Sequence, residues 1–191
     1  MMGWLGTVDQ HSNDGMCLLF GLAGWPHPEW QDNYFPGDLP PDWQLGFYSN
    51  DADCLLLTAQ QWLALDADDL VEWLDDVPEH FRFYLEWSED LGASPIAKVL
   101  GNHLGGVLVK QFEEKASVWP QFCQKKPQHW IDRGGVERIQ VWAELPSDLR
   151  QQRALLEQLP PTLEALLIAD PASDPGKLSD TRKVAQLLGI A

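Results

Sequence analysis

Strand-like and helix-like segments alternate along nearly the whole chain, and this alternation restricts the fold more than any other feature. Cys17–Ala23 is a short apolar run closed by Gly24, Pro26 and Pro28, which suggests a buried strand running into a loop. Leu45–Ser49 and Cys54–Thr58 read as two extended segments around the turn-forming Asn50-Asp51-Ala52-Asp53. Leu70, Val71, Trp73, Leu74 and Val77 follow helical spacing, with acids in the first turn and Pro78 as the stop. Phe81–Trp87 is an aromatic-rich strand, and Ser94-Pro95 opens a helix with Ile96, Val99, Leu100 and His103 on one face.

The pattern continues with Gly105-Gly106 and the strand Val107–Lys110, a helix over about 117–128, and the strand Ile139–Ala143. Ser147 and Ser179 stand where helix caps are expected, and Leu163–Ala169 is the last buried strand. Strands joined through helices imply βα units, right-handed crossovers and a largely parallel sheet. At 191 residues, one α/β domain is expected: an N-terminal extension over 1–16, a core over 17–170 and a closing helix over 171–191.

Charge excludes some functions. The formal net charge is −16, and residues 1–81 hold no Lys or Arg; the first base is Arg82. Such a field opposes phosphate binding, although Lys110, Lys115, Lys125, Lys126, Arg133 and Arg138 form one basic region with Trp119 and Trp130 interleaved. No nucleic acid is therefore expected as a partner. The acidic first part reads either as a solvated surface or as a docking face for a basic protein partner. No apolar run is long enough for a membrane span, and Met1 to Gly15 lacks the pattern of a signal peptide. Cys17, Cys54 and Cys123 are odd in number and far apart, so they read as buried thiols of a reducing compartment, and a cytoplasmic location is expected.

Familiar catalytic signatures are missing: no GxGxxG, no GxxxxGK[ST], no GxSxG and no CxxC. His11, His27, His80, His103 and His129 lack metal-ligand spacing, so neither a metal nor another cofactor is expected. What stands out is the loop after the first strand, where Trp25, His27, Trp30 and Tyr34 are crowded among prolines. These rings either plug one end of the fold or form a stacking wall for a ligand.

The same segment, GLAGW-x-x-x-x-W-x-x-x-YFP, resembles the opening of the YecE-like family of unknown function. Val77–Phe83 (VPEHFRF) is similar to that family's TPExFRF entry into a strand, Gly105–Lys110 to its LGPLLVQ strand, and Glu137–Ser147 to its VEFRHPS segment. The matches run in order over roughly residues 17–170. The resemblance implies a TIM-type (β/α) barrel of parallel strands, here shortened or incomplete, with an open doubly wound sheet as the alternative. Several family positions differ. Cys54–Ala59 lacks the Glu and Asn of VEINSTFY, Glu86 stands near the expected Lys, and Trp142, Glu144 and Leu145 fall near the Glu, Arg and His of VEFRHPS.

In parallel α/β folds ligands bind at the carboxyl ends of the strands. Those ends supply Trp25, His27, Trp30 and Tyr34, then Thr58, Glu86, Lys110, Glu144 and Asp170. Glu86, Lys110 and Glu144 are the candidate catalytic groups, since paired carboxylates suit glycoside hydrolysis and a Lys can hold an anion or act as a base. Two functions follow as expectations: binding or hydrolysis of a small carbohydrate-like or phosphorylated metabolite, or a non-catalytic acidic interaction protein. A barrel lacking closing units would expose a strand edge, so a homodimer is also expected.

Overall fold

The computed structural model describes residues 17–170 and 175–191; the expected extension 1–16 and the start of the 171–191 segment lie outside the described residues. Eight strands close into one barrel: β1 (Leu19–Ala23), β2 (Cys54–Leu57), β3 (Arg82–Glu86), β4 (Leu104–Val109), β5 (Gln121–Lys126), β6 (His129–Ile131), β7 (Glu137–Trp142) and β8 (Ala165–Ile168). The successive pairs from β1–β2 to β4–β5 are parallel, as are β7 with β8 and β8 with β1. β6 alone is antiparallel to both neighbours. Closure leaves no strand edge open, so the edge that suggested a homodimer does not arise.

Among the described residues seven α-helices accompany the strands: α1 (Trp30–Asn33), α2 (Gln44–Tyr48), α3 (Ala59–Ala64), α4 (Ala67–Asp76), α5 (Ile96–Leu100), α6 (Leu149–Leu156) and α7 (Pro175–Leu187). Thr58 opens α3 with a full capping box, its hydroxyl accepting from the Gln61 N–H while Gln61 reaches back to the Thr58 N–H. Between α5 and α6 there is no α-helix among the described residues, only short 3₁₀ turns, so the shortening falls on the helices and not on the strand count. The outer face of β6 and β7 is correspondingly polar. His129 Nδ1 and the Gln140 amide both meet Glu137 Oε1, at 2.8 and 2.6 Å, and the Trp142 indole N–H donates to Gln140 Oε1 at 3.0 Å. Burial works against the Glu137 charge, but the His129 and Gln140 hydrogen bonds outweigh it and hold the carboxyl below its ordinary range.

Further sequence expectations need correction. Ser147 and Ser179 are not caps: Asp148 caps α6, and Ser179 lies inside α7. Leu45–Ser49 is not extended: Gln44–Tyr48 is a helix that buries Leu45 and Tyr48 against the barrel. The helix over 117–128 is instead strand β5, whose pairing between β4 and β6 overrides its local spacing. Of the three thiols only Cys54 is buried; Cys17 is exposed ahead of β1, and Cys123 is half-buried and donates to the Lys110 carbonyl.

The interior is filled by alternate residues of the strands, chiefly Cys54, Leu56, Tyr84, Leu108, Phe122, Ile139, Val141, Ala165 and Leu167. The opposite faces, including Phe20, Leu22, Leu55, Phe83, Leu85, Leu166 and Ile168, join the helices in a larger outer core. Tyr48 ties the first two strands together: its hydroxyl accepts from the Leu22 N–H and donates to the Cys54 carbonyl, both at 2.9 Å. Burial pushes the Tyr48 and Tyr84 phenols and the Cys54 thiol well up, so all three stay neutral.

The closing helix α7 is pinned electrostatically. Arg182 lies 2.7 Å from the buried Asp53, whose other oxygen accepts from the Phe20 N–H at 3.2 Å; His80 stands 3.9 Å away. Burial raises the Asp53 pKa above the ordinary carboxylate range, and Arg182 only partly offsets it. The folded state therefore holds this proton more tightly than the unfolded chain, and its contribution to stability declines as pH rises through the folded-state pKa. Arg182→Leu is expected to cost about 2 kcal/mol at neutral pH, because it strands a buried carboxylate, and much less in acid, where Asp53 is protonated. Urea unfolding of both proteins across that pH range checks this; a difference independent of pH would assign the loss to packing instead.

Candidate functional site

The carboxyl ends of β2, β3 and β4 and the β5–β6 hairpin border a cavity of ≈670 Å³ whose lining includes Leu56, Thr58, Glu86, Leu108, Lys110 and Gln124, with Glu113 and Trp130 also in its wall. Three of the strand-end residues expected from sequence, Thr58, Glu86 and Lys110, meet here. Register explains why: Glu86 pairs with Leu108, two residues before Lys110, so all three share the inward face. Glu86 is held in place, since its Oε2 accepts the Ala59 N–H at the start of α3 at 3.0 Å and its carbonyl accepts from the Trp62 indole at 2.8 Å. The β4–β5 loop is fixed by the buried Gln121, whose amide both donates to and accepts from the Glu113 backbone at 2.8 Å. The Lys110 ammonium makes no ion pair or hydrogen bond among the described residues.

The aromatic loop is placed elsewhere. Gly24, at φ +95°, turns the chain out of β1, a conformation that a side chain disfavours. His27 Nε2 then donates back to the Ala23 carbonyl at 3.1 Å. Trp30 is 2 % and Trp25 8 % exposed. Trp30 stacks on Tyr48 at 5.9 Å, and Trp25 meets Trp30, Phe35, Tyr48 and Trp73 edge-on. Tyr34 donates to Asp51 at 2.8 Å. These rings fill the space beside β1 and do not line the cavity at the strand ends. Glu144 is exposed in a separate groove outside the barrel with Gln140 and Trp142, and Asp170, half-buried after β8, is not part of the cavity wall.

Glu113, Gln124 and Trp130 are cavity residues that the sequence reading did not single out for this site. Trp130 stood out only as an aromatic among bases, and the hairpin that aims it inward was hidden by the helical reading of 117–128. The Pro127-Gln128 turn, with Gln128 at φ 70°, is the available signal. Among the described residues, no cluster of three or more His, Cys, Asp or Glu could hold a metal ion, and no helix is long and apolar enough to cross a membrane.

No curated protein matches the chain. A crystallised DUF72 family protein from Enterococcus faecalis V583 is similar over 92% of this chain and 99% of its own, at 9% identity and a TM-score of 0.48. The family model "Protein of unknown function DUF72" matches residues 19–169, which take in every strand of the barrel. On that match the chain belongs to DUF72, the YecE-like family.

Proposed function

We propose that the barrel mouth binds a small anionic, hydroxyl-bearing metabolite of the sugar-acid or sugar-phosphate class. The observation that carries this reading is the convergence of Lys110, Glu86, Thr58 and Gln124 with the Trp130 ring on one cavity of small-ligand size. Lys110 is the cation available to an acidic group, Glu86 and Gln124 can bond hydroxyls, and an indole face suits the apolar side of a sugar ring. Glu144 stands in a separate groove and takes no part in this cavity, whose lining groups suffice for binding.

Isothermal titration with gluconate, glucose 6-phosphate and glucose tests the proposal. Saturable binding of an anionic compound but not of glucose is expected, weakened about 10-fold or more by Lys110→Met or Trp130→Ala. No heat with any of the three, or equal affinity in Lys110→Met, would overturn it.

A further inference from the structure

A second groove, of ≈750 Å³, lies on the acidic side of the molecule between α2 and α4. Its floor is apolar, made by Trp25, Trp73, Leu45, Leu57 and Leu65. Around it stand Asp42, Asp69, Glu72, Asp75 and Asp76, all exposed, with Trp43 at 65 % exposure on the rim. Three of these acids come from one stripe of α4, because positions 69, 72 and 76 recur at helical spacing beside Trp73. The opposite stripe, Leu70, Leu74 and Val77, is used for the core.

Nothing among the described residues neutralises this groove. None of the five carboxylates makes an ion pair or hydrogen bond among the described residues, and residues 1–81 contain no Lys or Arg. The like charges repel one another, and they ring apolar surface that water hydrates poorly. Positive charge and apolar surface supplied together from outside would relieve both costs. A single ammonium is too small, since the acids from Asp69 to Asp76 span about 10 Å along α4.

We propose that this groove docks a basic amphipathic segment of a partner protein. Its apolar side chains sit on Trp25, Trp43 and Trp73, and its Lys or Arg residues pair with Asp69, Glu72 and Asp76. The site is separate from the barrel mouth and does not depend on the function proposed there. Complementary charge draws the partner in and the Trp floor holds it, so affinity falls with added salt without vanishing.

The probe is a fluorescein-labelled helical peptide of Leu and Lys, about three turns long, followed by anisotropy. A Lys/Ser peptide of equal charge serves as comparison. The triple variant Asp69→Asn, Glu72→Gln, Asp76→Asn is expected to weaken the Leu/Lys peptide about 10-fold or more, and Trp43→Ser about 5-fold with every charge retained. Glu144→Gln, Glu89→Gln, Glu114→Gln, which removes the same charge outside the groove, is expected to change affinity less than about 3-fold. Equal losses in the two triple variants, an unaffected Trp43→Ser, equal binding of the Lys/Ser peptide, or no binding at all would each overturn the proposal.

Discussion

Gly21→Ala should lower the stability of the barrel by about 4 kcal/mol, above the range usual for overpacking, because the obstacle is backbone. Gly21 lies directly opposite Cys54 in the β1–β2 ladder. A Cβ at this position would stand 2.1 Å from the Cys54 carbonyl oxygen and 2.6 Å from its Sγ. No rotamer relieves the first contact, so β1 must move away from β2, and in a closed barrel that displacement is passed on to β8. Gly37→Ala provides the comparison, since a Cβ there meets nothing within 4 Å and the change should stay within about 0.5 kcal/mol. Urea unfolding of the two variants measures both. A loss below about 1 kcal/mol for Gly21→Ala would mean that the first two strands part easily.

Trp30→Ala should cost a similar amount, about 4 kcal/mol, as expected for emptying a site filled by a large buried aromatic. Trp30 is almost wholly enclosed, with Trp25, His27, Tyr34, Phe35 and Tyr48 around it. Two of these partners are themselves locked: Tyr48 by its two backbone hydrogen bonds, His27 by the Ala23 carbonyl. The cavity therefore cannot collapse, and the loss includes the edge-on contacts as well as the transferred area. Trp43→Ala, at an exposed ring, should leave stability within about 0.5 kcal/mol. Thermal and urea unfolding compare the two. Equal, small losses would show that the loop rings are not part of the core.

Much of the scaffold was legible because its signals are local. Phe81–Trp87 is rich in aromatics and Leu163–Ala169 is mostly apolar, and β3 and β8 fall inside them. Glu86 and Lys110 could be placed at a common mouth because parallel strands present their ends together. Glu144 could not be separated from them by the same reasoning. Its chain position follows β7, but only the tertiary arrangement shows it on the outer wall beside α6. The helical reading of Leu45–Ser49 was missed for a related cause: Leu45 and Tyr48 are buried three residues apart, whereas Gly46 and Phe47 between them gave no periodic cue.

The sequence by itself determined the α/β alternation, the family motifs over the core, the absence of bases before Arg82 and the crowding of rings after β1. Each is a property of neighbouring residues, so spacing and composition express it directly. Only the tertiary structure decided that the barrel closes, that β6 turns back to complete it, and that the Trp25 and Trp30 rings are packed while Trp130 faces a cavity. Those outcomes depend on pairings such as β1 with β8, brought together from opposite ends of the described chain. Their energy comes from close packing between segments with no local record of one another.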